Sequence, residues 1–173
     1  MTQAYTEGSV SVSVSILGEM QLDRALAGRI RATSDLSQPF EHIADDFEEE
    51  QEKRFEHEGS LDGAKAWPAL SPDYAAWKEQ HYPGRKILVR TGKLRDALTG
   101  GPGSVRTIGR LKLVLSGTRL VKGKSGIYDL GALHFTGTSK MPARRPMAIG
   151  KRQKHRWMRF FSDHFRIEGR FDD

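Results

Sequence analysis

Residues 37–59 read SQPFEHIADDFEEEQEKRFEHEG, and the spacing of their apolar members dictates one long helix. Phe40, Ile43, Ala44, Phe47, Gln51 and Phe55 recur at intervals that place them on one stripe of an α-helix over about 38–58. Ser37 stands where an N-cap belongs, Pro39 is tolerated in the first turn, and Gly59 stops the helix. The acids occupy the other faces. Such a helix has one side to bury and one to solvate, so it needs a partner layer.

Toward the N-terminus, Val10, Val12, Val14 and Ile16 alternate with serines, which predicts a half-buried strand over 9–16. Leu22, Ala25, Leu26 and Ile30 then predict an amphipathic helix over about 19–32. Toward the C-terminus, Ser71-Pro72 opens a short helix carrying Tyr74 and Trp77, and Tyr82-Pro83-Gly84 is a turn. Thr91 is the expected cap of a helix through Leu94 to Leu98, and Gly100–Gly103 is a break rather than a domain boundary. Val105–Ile108 and Leu111–Ser116 predict a hairpin about Gly109-Arg110, a loop with glycine first as a type II′ turn prefers. Thr118–Gly126 reads as a Lys/Gly loop and Tyr128–Phe135 as a short buried helix. A last helix over about 150–165 lines up Trp157, Phe160, Phe161 and His164. The expectation is one α+β domain over 1–173: a small, mostly antiparallel sheet packed with two or three amphipathic helices and long extended loops.

The chain has 173 residues and a formal net charge of +6. There is no cysteine, which leaves no disulfide, no thiolate nucleophile and no Cys-ligated zinc. No apolar run approaches the ~18–20 residues that span a bilayer, and MTQAYTEGSV lacks the form of a secretory signal. A soluble protein without membrane contact is expected. The charge is segregated. Nine acids lie between Ser37 and Ser60 against Lys53 and Arg54, whereas Lys140–Phe160 holds nine basic residues, counting His155, and no acid. Lys78–Lys124 is basic by twelve to two. Opposite flanks of this kind can pair head to tail between copies, and a heterologous contact closes into a ring where the rotation permits. The plainer alternative is two solvated faces.

Chemistry-bearing motifs are missing. GTRLVKGKS over 117–125 follows an apolar strand, but a phosphate-binding loop needs four residues between its glycines and here there are five. A mobile lysine-rich loop explains it more simply. The six histidines (His42, His57, His81, His134, His155, His164) include no HExxH pair; His42 reads as surface and His164 as a satisfied core residue. No DxDxDG loop and no GxSxG elbow occurs. No catalytic residue, cofactor or metal site is expected, and the chain reads as a protein that binds. One alternative partner is DNA, approached by Lys151, Arg152, Lys154 and Arg156 on the last helix. Against it, Trp157, Phe160 and Phe161 read as core and are not free to stack on bases.

Several blocks then read together: Trp67-Pro68-Ala69-Leu70-Ser71 with Lys78 after it, Ile87-Leu88-Val89-Arg90-Thr91-Gly92-Lys93-Leu94, His134-Phe135-Thr136-Gly137, and Pro142-Ala143-Arg144-Arg145-Pro146. In that order, over about Ala44 to Phe165, they resemble the phage virion morphogenesis family, the tail-completion proteins of the head–tail joining region. The chain departs from the family's usual pattern at Leu130, where a tyrosine is usual, and at Arg145, an additional arginine before the proline. The resemblance implies no catalysis. It implies a structural virion protein, present in the host cytoplasm during assembly, that docks as a sixfold ring at the head-proximal end of the tail. Its neighbours there would be the tail terminator or tail tube and the connector proteins, with genomic DNA in the lumen. On this reading Lys122, Lys124, Arg144 and Arg145 form the cationic side of a subunit interface, and Glu48, Glu49 and Glu52 the acidic side. The local alternative for Pro142–Pro146 is an extended arm packed on its own domain.

Overall fold

The computed structural model describes residues 33–117, 119–123 and 126–168. The strand expected over 9–16, the helix over 19–32 and Lys124 lie outside the described residues. The chain is α+β. Among the described residues the order is α1 (Ser37–Glu56), α2 (Pro72–His81), α3 (Lys93–Leu98), β1 (Ser104–Gly109), β2 (Lys112–Gly117), β3 (Leu120–Gly123), β4 (Gly126–Asp129), α4 (Leu130–Thr136) and α5 (Lys151–Glu168). The strands form two separate antiparallel pairs, β1 with β2 and β3 with β4, rather than one sheet. Two compact units result, one from 33–46, 105–116 and 152–168, the other from 47–104 and 117–151.

In the first unit, Leu36, Phe40, Ile43, Ala44, Leu113 and Phe161 form the core, with Trp157, Phe160 and Phe165 half-buried against it. The Phe40 and Phe161 rings meet edge to face, 5.8 Å between centroids, a geometry worth about 0.5–1.5 kcal/mol beyond the buried area. Asp35, two residues ahead of the expected cap, accepts hydrogen bonds from the Ser37 hydroxyl (2.6 Å) and backbone N–H (3.0 Å). Those bonds hold its carboxyl below the usual range. Asp46 accepts from Arg156 Nε at 2.6 Å and from Trp157 Nε1 at 2.7 Å, joining α1 to α5 at the polar edge of the core. His164 is buried with Nδ1 3.4 Å from Gln38 Oε1, and His42 is exposed with its ring against Phe160.

The hairpin turn falls one residue later than its glycine suggests. Arg110 and Leu111 make the turn, which leaves Leu111 58% exposed while Leu113 is buried. A long-range tie accounts for this: the Arg110 carbonyl accepts from Leu36 N–H at 2.6 Å, and its guanidinium lies 3.5 Å from Asp35. Local turn chemistry carries no information about that anchor.

In the second unit the core is Phe55, Trp67, Val89, Leu94 and Leu98. Gly59 (φ +89°) turns the chain after α1, and the Trp67 ring lies so close that a Cβ there would sit 2.6 Å from Trp67 Cδ1. Only glycine satisfies both conditions. Trp67 then meets Phe55 edge to face at 5.4 Å. Gln51, the polar member of the α1 stripe, is fully buried; it donates to the Ala148 carbonyl and accepts from the Ala148 N–H, each at 3.3 Å.

Three local expectations change here. The N-cap of α3 is Gly92 at φ +85°, not Thr91, because the chain enters the helix through a left-handed turn that leaves Thr91 exposed. Most of the Lys/Gly loop is the β3–β4 hairpin, paired Leu120↔Asp129 through Gly123↔Gly126. Its composition lacks apolar alternation because neither face is deeply buried: Leu120 and Ile127 are 56% and 71% exposed. The helix expected over Tyr128–Phe135 begins at Leu130, and none of its residues is fully buried. Asp129 accepts from Gly131 N–H at 2.8 Å, so it caps the helix and Tyr128 stays in the strand.

Candidate interaction cleft

The sequence blocks quoted above converge in the second unit. Arg144 is 3% exposed, and its Nε and NH2 donate to the carbonyls of Pro68 and Ala69, both at 2.7 Å. Trp67 Nε1 donates in return to the Arg145 carbonyl at 2.9 Å. Arg144 N–H donates to the His134 carbonyl at 2.7 Å. The Pro142–Pro146 segment is therefore an arm laced to the Trp67–Ala69 segment and to α4. Arg144 is a strut of its own unit, its guanidinium held by two backbone carbonyls at the wall of the cleft.

Beneath the arm lies a cleft of about 550 Å³, walled by α2, residues 88–94, β3, α4 and residues 140–144. Leu70, Leu88, Leu94, Val121, Leu130 and Met141 give it apolar sides. Lys78, Arg90, Lys93, Arg119, Lys140 and Arg144 bring six cations to it, and among the described residues no acidic side chain lines it. Lys78 is buried and donates to the Lys86 carbonyl; burial pushes its ammonium below the ordinary lysine value. Burial, and then the Arg144 charge, lower the His134 imidazole below 6.5, so it is neutral at pH 7. Its Nδ1 is buried without a hydrogen-bond partner among the described residues. The arrangement attracts anions.

The other expected site residues fall elsewhere. Arg145 is exposed, its guanidinium 5.3 Å from the centre of the Phe135 ring, and Lys122 is exposed on β3. Glu49 is exposed and paired to Lys53 at 2.7 Å, Glu52 is exposed, and Glu48 is half-buried, packed where a Cβ on Gly100 would stand. On α5, Lys151, Arg152 and Lys154 are exposed, while Arg156 is engaged with Asp46. Sequence reasoning noted the basic excess of Lys78–Lys124 but not the cleft. Distance along the chain does not say which cations converge; the one available signal was that the resemblance blocks held several of them.

Among the described residues no group of three or more His, Asp or Glu is placed to hold a metal ion, and no helix is long and apolar enough to cross a membrane. No curated protein and no solved structure matches the chain. The model of the phage virion morphogenesis family matches residues 18–164, and the chain belongs to that family. Its role is accordingly structural, in the building of a phage virion.

Proposed function

We propose that this virion morphogenesis protein completes the head-proximal end of the assembled tail and makes it competent to join a filled head, acting as a ring of identical copies. Tail terminator or tail tube proteins on one side and connector proteins on the other are its partners. The observation that carries the reading is the β3–β4 hairpin. A two-stranded hairpin is marginal alone, and this one leaves Leu120, Ile127 and Tyr128 exposed. Such a surface is suited to ordering against a neighbouring subunit. The segregated charge supports the same arrangement, with acids concentrated on α1 and most of the cations elsewhere.

The test is electron microscopy of a lysate from a phage lacking this gene. DNA-filled heads beside free full-length tails are expected. Empty heads, or normal infectious particles, would refute the joining role. Binding of the isolated protein to duplex DNA with a steep salt dependence would instead favour a DNA-handling role for the exposed Lys151, Arg152 and Lys154.

A further inference from the structure

The cleft is electrically incomplete. Arg144 is almost wholly buried, and its guanidinium donates to two neutral carbonyls. A buried guanidinium keeps its proton, and a buried charge is ordinarily balanced by an opposite one. Lys78, also buried against a carbonyl, has the Glu58 and Glu79 charges near it, and His134 Nδ1 has no hydrogen-bond partner among the described residues. Among the described residues no carboxylate lines the cleft, so an anion for Arg144 and the exposed Arg90, Lys93 and Lys140 is sought outside it.

A suitable anion is present on this same chain. Glu41, Asp45, Glu49, Glu52 and Glu56 are all exposed, and their spacings of four, four, three and four residues set them on one line along α1. Asp45 and Glu49 have cationic partners, Arg106 and Lys53. The carboxylates of Glu41, Glu52 and Glu56 have none among the described residues. Glu49, Glu52 and Glu56 belong to the second unit, yet none of them lines the cleft of that unit. Base and acid thus occupy different places on one body.

We propose that the cleft under the Pro142–Pro146 arm receives the carboxylate line of α1 from a second copy of this chain. The proposal rests on the ring reading and gives that ring its contact. A volume of about 550 Å³ admits several side chains but not a helix of ~10–12 Å diameter. The helix therefore lies across the mouth and its glutamates reach in. Their methylenes meet Leu70, Leu88 and Met141 while their carboxylates meet Arg90, Lys93 and Lys140. That apolar wall favours glutamate over a bare phosphate. Because donor and acceptor surfaces differ, the contact is heterologous and repeats from copy to copy.

The chain has no cysteine, so introduced thiols report without background. Thr91→Cys at the exposed cleft rim and Glu52→Cys on the helix are made in separately tagged chains, mixed at low ionic strength and treated with a short bis-maleimide. Mixed dimers should exceed those from a Thr91→Cys and Lys112→Cys pair by about tenfold or more, an excess typical of a specific charged contact over random encounter. Both changes combined in one chain should give a ladder beyond dimers, where an isologous contact would stop at two. Arg90→Glu with Lys93→Glu should abolish the excess, and Glu49→Lys with Glu52→Lys in the partner should restore it when the thiol is moved to Glu56→Cys.

Circular dichroism of each variant establishes that it is folded. Folded variants that give no excess would overturn the proposal. Protection of the Thr91→Cys thiol by a short single-stranded DNA, without mixed dimers, would overturn it in favour of phosphate. The two readings fail separately. Mixed dimers together with normal particles from the gene deletion would sink the joining role and leave self-docking intact. Free tails with no mixed dimers would do the reverse.

Discussion

The Gly59–Trp67 contact permits a stability prediction with its own internal control. Gly59→Ala carries two costs. A non-glycine residue at φ +89° is disfavoured by roughly 1–2 kcal/mol. The new Cβ would also stand 2.6 Å from both Cδ1 and Nε1 of Trp67. That ring cannot swing aside, because Phe55 packs on it and Nε1 is tied to the Arg145 carbonyl. Overpacking of this kind costs about 1–3 kcal/mol, so the total is roughly 2–5 kcal/mol. At a urea slope of ~2 kcal/mol/M, the midpoint drops by about 1–2.5 M. Gly63 is the control. Its φ is +78°, but nothing lies within 4 Å of a Cβ there. Gly63→Ala should lose only the backbone part, about 1–2 kcal/mol. Urea titration followed by far-ultraviolet circular dichroism measures both, and Trp67→Leu should reduce the Gly59→Ala penalty toward that of Gly63→Ala. If the two glycine variants agree within about 0.5 kcal/mol, the close approach of the ring is not what demands glycine at 59.

Two carboxylates on α1 should differ in their contribution under the same titration. Asp46→Ala leaves Arg156 and the Trp157 N–H without their shared acceptor and should cost about 2–4 kcal/mol, with Asp46→Asn losing less. Asp45→Asn removes an exposed pair with Arg106 and should change stability by under ~1 kcal/mol. Gln51→Leu, close in size, deprives both backbone groups of Ala148 and should cost about 2–4 kcal/mol; a neutral result would mean those 3.3 Å bonds contribute little. For pH, the folded His134 pKa lies below the unfolded value of 6.5. Between the two values the unfolded chain binds more protons, so stability is full above pH 6.5 and falls as pH drops through that window. The slope of midpoint against pH should flatten in His134→Gln, and an unchanged slope would clear this histidine.

The parts of the fold legible in advance were those carried by periodicity. The Phe40 to Phe55 stripe and the Trp157 to His164 stripe are both apolar faces of long helices, and the structure buries much of each. Illegible features depend on partners distant in sequence. The β1–β2 turn is displaced by Leu36 and Asp35. Gln51 sits on an apolar stripe because Ala148 needs a donor and an acceptor there. Arg144 looked like a surface charge because arginine usually is one, and only Pro68 and Ala69 reveal it as a strut. The cleft was half visible. Its walls were the blocks that suggested the family, but Lys140 and Arg119 meet Arg90 only through the fold.

The interleaving of the two units bears on how the chain is made. The first core joins Leu36 and Phe40 to Leu113 and then to Phe161, residues from nearly opposite ends of the described chain. During synthesis Phe40, Ile43 and Leu113 wait uncovered until α5 has been translated. Loop closure over such separations slows folding, and uncovered apolar surface invites aggregation in the interval. A chain truncated before Lys151 therefore loses the cover of its first core, and misfolding rather than a shortened subunit is the expected product.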